Sequence, residues 1–252
     1  RMPTISGLRR RGYTPNSIKD FCNRIGITKK NSSIEMGVLE NSIREELNNC
    51  AKRVMGILDP IKIIIKNYPE NKSENIEAPW NHNKPGLGQR KISISREIYI
   101  DRSDFMEQPG KEVRLRHAFN ITCENISKNE DNKIVHIQCT YDPKSRDIKK
   151  GNKVKGIIHW VDAKNFIDIK VNEYDRLFLD SNPSDISNFN KNSLIVRENA
   201  KLENNIDDNL NERYQFERVG YFIKDSNCSN EKITYNKIVS LKDSWKKIHH
   251  KD

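Results

Sequence analysis

The residues of this chain with the most chemistry to offer are its arginines. Lys111-Glu112-Val113-Arg114-Leu115-Arg116-His117 sets Arg114 and Arg116 two apart in a strand-like run. Side chains two apart on a strand leave the same face. Two adjacent guanidiniums, each a planar fork of donors, suit phosphates or base edges; the same spacing equally suits a polar strand face turned to water. Phe216-Glu217-Arg218-Val219-Gly220-Tyr221-Phe222 places Arg218 among aromatics of the kind that stack on unpaired bases, with Phe216 and Phe222 reading as core. Asn48-Asn49-Cys50-Ala51-Lys52-Arg53 closes an apolar-striped segment with amides and two cations. Cations there also offset a helix dipole, so Arg53 alone is a weak signal. Arg9, Arg10 and Arg11 are consecutive, and Lys29-Lys30 lie in a turn. A run of like charges repels itself unless it faces water or an anion.

Catalytic patterns are missing by comparison. There is no Gly-x-Gly-x-x-Gly, no phosphate-binding Walker loop and no His-Glu-x-x-His. Six histidines are scattered: His82 in an Asn/Pro loop, His249-His250 in a tail, and His159 inside Ile157-Ile158-His159-Trp160-Val161, where it reads as a satisfied strand residue. The five cysteines form no Cys-x-x-Cys pair, which argues against a metal site and against a disulfide framework, and so for a reducing cytoplasm. Carboxylates are plentiful, but none forms an isolated pair in an apolar setting. No cofactor and no metal are expected in the chain.

The 45 Lys+Arg against 35 Asp+Glu give a net charge of +10, a surplus that favours polyanions through counterion release. Residues 1–58 hold eleven basic against five acidic side chains. Only 35% of residues are hydrophobic and the mean hydropathy is −0.85, which suits small barrels with wet outer faces better than one thick core. No apolar run approaches the roughly 20 residues that span a bilayer, so no membrane association is expected.

The elements that must position these residues fall into two kinds. Residues 1–58 read as helical: Thr14-Pro15 is an N-cap followed by Pro at N1, Ile18, Phe21, Cys22 and Ile25 recur at helical spacing, and Gly26 is a natural stop. A second helix is predicted over 34–50, with Met36, Leu39, Ile43 and Leu47 on one face. Beyond Leu58-Asp59-Pro60 the pattern turns to strands, at 61–66, 91–100, 111–126, 134–141, 154–161, 166–178, 193–199, 214–224 and 233–241. Residues 129–133 read as a hairpin turn, 143–153 as a charged loop, and 199–212 as a polar insertion. No helical segments alternate with the strands, so short antiparallel strands closing into two small barrels are predicted.

Taken in order, the blocks RMPTISGLRRRGYTP, RIGITK, IEMGVLENSIREELN, KRVMGILDP, GKEVRLRHAFNI, KVKGIIHW, YDRLF, QFERVGYF and LKDSW resemble the C-terminal part of glutaminyl-tRNA synthetase over nearly the whole chain. The opening at Arg1, without an initiator Met, fits an interior piece whose catalytic domain lies N-terminal to Arg1. The resemblance implies a mainly β fold with an N-terminal α-helical subdomain and two six-stranded antiparallel barrels of ribosomal-protein-L25-like type. The implied division is 1–58 helical, 59–104 with 188–252 as the proximal anticodon-binding barrel, and 105–187 as the distal one. It implies anticodon contacts by Arg53, Arg114, Arg116 and Arg218, and more weakly by Asn48 and Asn83; Arg9, Arg10, Arg11, Lys29 and Lys30 are candidates for the tRNA backbone.

The implied function is recognition of tRNA(Gln) by one half of a cytoplasmic, monomeric glutamine–tRNA ligase. ATP and Mg belong to the absent catalytic domain, and this chain alone is expected to be inactive. The alternatives are the matching region of an archaeal- or eukaryotic-type glutamyl-tRNA synthetase and a free-standing RNA-binding adaptor. Two departures stand out. The loop Asp104-Phe105-Met106-Glu107-Gln108-Pro109-Gly110 is about ten residues shorter than in the family, which puts its contact to the wobble base in doubt. An Asn-His-Pro-Asn-Lys-Pro pattern is altered to Trp80-Asn81-His82-Asn83-Lys84-Pro85.

Overall fold

The computed structural model describes residues 4–30, 32–104, 110–147, 154, 156–179, 186–207, 209–227 and 232–242. The expectations for Gln108 and for His249-His250 lie outside them. Three α-helices come first, and each end has a local cause. In α1 (Ile5–Arg11) the Thr4 hydroxyl accepts from the Gly7 amide at 3.1 Å, and Gly12, at φ 104°, closes the helix by donating back to the Arg9 carbonyl. Only glycine fits there: a Cβ would sit 2.7 Å from Ile238 Cδ1, on top of the left-handed backbone. Helix α2 (Pro15–Ile25) has the predicted ends, with a reciprocal capping box between Thr14 and Ser17 and a stop at Gly26. Helix α3 (Met36–Cys50) begins two residues later than predicted. Its predicted stripe is the buried one: Leu39, Ile43 and Leu47 pack with Tyr13, Ala51, Tyr221, Ile223, Ile238 and Val239. Each such side chain contributes roughly 1.5–3 kcal/mol.

The chain forms two compact units. One comprises Arg1–Arg53, Lys170–Arg197 and Asp208–Asp252; the other comprises Val54–Ile169 and Glu198–Asp207. Among the described residues, two seven-stranded sheets and one two-stranded ribbon account for the strands. The division falls inside three strands, Lys52–Val54, Phe166–Tyr174 and Leu194–Glu203.

The sheet of the second unit runs in the order Ile157–Ile158, Glu112–Leu115, Asn120–Lys128, Ile134–Asp142, Pro60–Ile65, Glu97–Asp101, Trp160–Asp162. Its two end strands are separated in sequence only by His159, so the sheet comes almost back on itself as a barrel. In Pro60–Ile65 every second side chain is buried, which is the alternation of a strand with one face in a core. Ile61, Ile63, Ile65, Ile98, Ile100, Leu115, Phe119, Ile137 and Trp160 fill that core. The other seven-stranded sheet places Lys52–Val54, Arg213–Phe216, Gly220–Lys224 and Ile233–Ser240 side by side, followed by Phe166–Tyr174, Leu194–Glu203 and Gly56–Ile57. The ribbon pairs Glu74–Pro79 with Gln89–Ile94.

Several expectations are corrected. The sheets have seven strands rather than six, and the pairing is not purely antiparallel. Ile157–Ile158 runs parallel to Glu112–Leu115, and Pro60–Ile65 runs parallel to Ile134–Asp142. No crossover helix is needed because long excursions through other strands bring these pairs together. That non-local pairing also joins 60–65 and 97–101 to 112–142. Residues 199–203 continue a strand instead of opening a polar insertion, because Glu203 is drawn inward. Its carboxylate accepts from the Met55 amide at 2.9 Å and from Arg90 Nε at 2.5 Å, with both side chains of the pair buried. His159 is not within a strand but sits between two, buried, with Nδ1 3.5 Å from the Asp104 carboxylate. Among the described residues no helix is long and apolar enough to cross a membrane.

Candidate nucleic-acid interface

In the first unit, the polar residues at the end of α3 lead into a strand beside the Arg213–Phe216 hairpin. Asn48 is exposed in the last helical turn, and Arg53 follows in Lys52–Val54, the neighbour of Arg213–Phe216. Gln215 in that strand lies directly across from Tyr221. Burial pushes the Tyr221 phenol up, while the positive charges of Arg53 and Arg44 pull it down, which places both arginines within electrostatic reach of that ring. Arg53 Nε and Gln215 Oε1 are both buried, and neither has a hydrogen-bond partner among the described residues. A buried donor and a buried acceptor left unpaired each cost about 1–3 kcal/mol. One is a donor and the other an acceptor, on neighbouring strands.

Arg218 tops the same hairpin. It is exposed, in the turn between Arg213–Phe216 and Gly220–Lys224, at φ 67°. A left-handed backbone costs a residue with a side chain roughly 1–2 kcal/mol, and such strain clusters at working sites. The rings on either side are core: Phe216 and Phe222 are fully buried and stacked at 4.1 Å.

The arginine run at the start is not one anion-facing surface. Successive helical side chains are fanned about 100° apart, so three in a row cannot share a face. Arg9 is exposed. Arg10 makes a bidentate pair with Asp225, both contacts at 2.9 Å. Arg11 is buried over the Tyr174 and Tyr13 rings at 5.4 and 5.9 Å and donates to the Lys237 carbonyl. Lys29 and Lys30 are exposed beyond α2.

In the second unit, Arg114 and Arg116 do not stand side by side on a strand. Arg114 turns its guanidinium inward, donating to the carbonyls of Ser145 at 2.7 Å and Ala118 at 3.2 Å and to Asn120 Oδ1 at 3.3 Å. Arg116 lies just past the strand, in the turn to Asn120–Lys128. Its amide donates to the Ile158 carbonyl and its own carbonyl accepts from the Trp160 indole, both at 2.9 Å. Asn83 is exposed in the loop of the ribbon, its amide held by Asn81 Oδ1 at 2.9 Å. His82, beside it, stacks on His117 with ring centroids 5.3 Å apart. Thus Asn83 and Arg116, about thirty residues apart, are brought to one region of this unit by their neighbours.

The sequence pattern described as "tRNA synthetases class I (E and Q), anti-codon binding domain" matches residues 51–142 and again 157–225. The chain belongs to this synthetase family. It is 45% identical over 264 residues to the glutamine–tRNA ligase of Cronobacter sakazakii, covering 98% of this chain and 48% of that protein. The enzymes of Proteus mirabilis, 45% identical over 263 residues, and Tolumonas auensis, 46% identical over 262 residues, match with 98% and 97% of this chain and 47% of theirs. The chain therefore spans about half the length of the curated relatives it matches.

Gln215, buried and with its Oε1 unpartnered among the described residues, is a polar residue outside the set expected from the sequence. The signal was present in Tyr214-Gln215-Phe216: a glutamine between aromatics that face the other way, on a strand covered on both sides.

Proposed function

We propose that this chain is the tRNA-gripping, anticodon-reading part of a glutamine–tRNA ligase, with tRNA(Gln) as its partner. The observation that carries the reading is the buried, unpartnered Arg53 Nε and Gln215 Oε1 beside Tyr221, below the exposed Arg218 turn. Together they offer a donor and an acceptor to one unpaired base and a guanidinium to the next group out. Arg9, Lys29 and Lys30 supply exposed charge for the backbone. ATP, Mg and glutamine are handled by the remaining half of the length seen in the relatives, in the cytoplasm and in a monomeric enzyme. The family resemblance further supports assigning the barrels to the ribosomal-protein-L25-like type.

Filter binding of the purified chain to tRNA(Gln) and to an anticodon-swapped tRNA tests the reading. Tighter binding to tRNA(Gln) is expected, with a log–log salt slope of roughly −3.5 to −4.5 if about five phosphates are neutralised. Equal binding to both, or a slope near zero, overturns it. Glutamine-dependent ATP–pyrophosphate exchange by this chain alone is expected to stay at background.

A further inference from the structure

The altered Trp80–Pro85 segment contributes His82, and the fold puts that ring against a second histidine, His117. His82 and His117 stack with centroids 5.3 Å apart and planes 25° apart. Each is held by local structure rather than by chance contact. His82 follows Asn81, which is buried, accepts from the Asn83 amide through its side chain and from the Lys84 amide at 3.1 Å through its carbonyl. His117 stands at φ 63°, and its neighbours are pinned: Arg116 on both sides of its peptide, as described, and Ala118 by a 3.0 Å bond to the Leu115 carbonyl. His82 is exposed, and one face of its ring lies on His117. A pre-ordered, amphipathic ring with cations close in sequence, here Lys84 and Arg116, is the equipment with which proteins hold unpaired bases.

We propose that the His82–His117 stack is a platform on which this chain seats one unpaired base of its RNA. The inference rests on the reading of the chain as an anticodon-binding protein and adds a contact that compensates for the short loop after Asp104. Ordering costs are low because both backbones are already fixed.

The test is competition binding of the full chain to a seven-nucleotide anticodon-loop RNA hairpin and to a plain duplex of equal length, with 2-aminopurine at successive loop positions. His82→Ala is expected to weaken hairpin binding roughly tenfold and to restore 2-aminopurine emission at one position. His117→Asn, which keeps the left-handed turn, is expected to do the same, and His82→Phe to bind within about twofold of the unsubstituted chain because it preserves stacking. Duplex binding should be alike for all four proteins. If His82→Ala and His117→Asn bind the hairpin as the unsubstituted chain does, the platform is not used. If His82→Phe falls as far as His82→Ala, the contact is not stacking and the proposal fails. If the unsubstituted chain itself shows no preference for hairpin over duplex, the anticodon-binding reading fails instead, and that arm alone reveals it.

Discussion

Two hairpins carry three of the four arginines that family resemblance ties to the anticodon, and they treat those arginines in different ways. At the turn after Glu112–Leu115, Arg114 folds back and satisfies carbonyls of Ala118 and Ser145, so its charge knits the turn to the 143–146 segment. At the turn after Arg213–Phe216, Arg218 is exposed and occupies a left-handed position that glycine would fill with less strain. In the first hairpin the left-handed residue is His117, the ring-bearing neighbour, and the arginine next to it is locked by its backbone. One hairpin therefore invests its guanidinium in stability and presents rings; the other accepts backbone strain and presents a guanidinium. Type and spacing alone do not reveal a side chain's role: Arg114 is placed by acceptors that the fold brings to it from residues 118–146.

Substitution separates the two. Arg114→Ala leaves several carbonyls without their charged donor, and should lower unfolding free energy by about 2–4 kcal/mol, measured by urea denaturation; protein that remains folded should still discriminate between tRNA(Gln) and the anticodon-swapped tRNA. A normal melting curve with lost discrimination would reverse the roles assigned here. Arg218→Ala should leave stability within about 1 kcal/mol yet narrow the gap in affinity between the two tRNAs by roughly 1–3 kcal/mol, in the same filter-binding format, whereas Lys29→Ala should weaken both alike. Arg218→Gly sharpens the point: relief of the φ 67° strain should raise stability by about 0.5–1 kcal/mol while discrimination falls. A destabilised Arg218→Gly chain would mean that the turn is held by the arginine rather than in spite of it.

The smallest effect concerns pH. Asp225 follows the strand that leaves the Arg218 turn. Burial alone would raise its carboxyl, but hydrogen bonds from Arg10, the Asn227 amide and Asn236, with the Arg10 charge, hold it below the usual range. Its stabilising share is therefore fully present above the unfolded value of about 3.9 and is lost as pH falls through the lower folded value. Acid titration of Arg10→Gln should show a shallower stability loss below about pH 4 than the unsubstituted chain; parallel curves would remove Arg10 from that role.

What could be read from the sequence was what is decided locally. Thr14-Pro15 and Gly26 fix the ends of α2 because caps involve residues three or four apart, and residues 129–133 form a turn with Asn132 at φ 60° and the Asn129 amide on the Lys133 carbonyl. The strand Glu74–Pro79 was missed because its sequence, ENIEAP, carries only one strongly apolar side chain. The single run expected at 91–100 is two strands, since Ser95 and Arg96 turn the chain. The direction taken by Arg114 was not legible, because its acceptors come from residues 118–146. Gln215 is legible only in part: its place between Tyr214 and Phe216 marks an inward-facing polar residue, while its neighbours Tyr221 and Arg53 come from other strands.

The seam at His159 also sets an order of events during synthesis. A nascent chain that has emerged as far as residue 150 holds five of the seven strands of that sheet, with Glu112–Leu115 and Glu97–Asp101 as bare edges at either end. Exposed edges invite pairing with other chains. The next dozen residues, Ile157–Ile158 and Trp160–Asp162, cover both edges together, and at 5–20 residues per second they arrive within roughly a second or two. Ribosome stalling shortly before Ile157 would thus hold the nascent chain in its most aggregation-prone form, and release past Asp162 would end that exposure in one step.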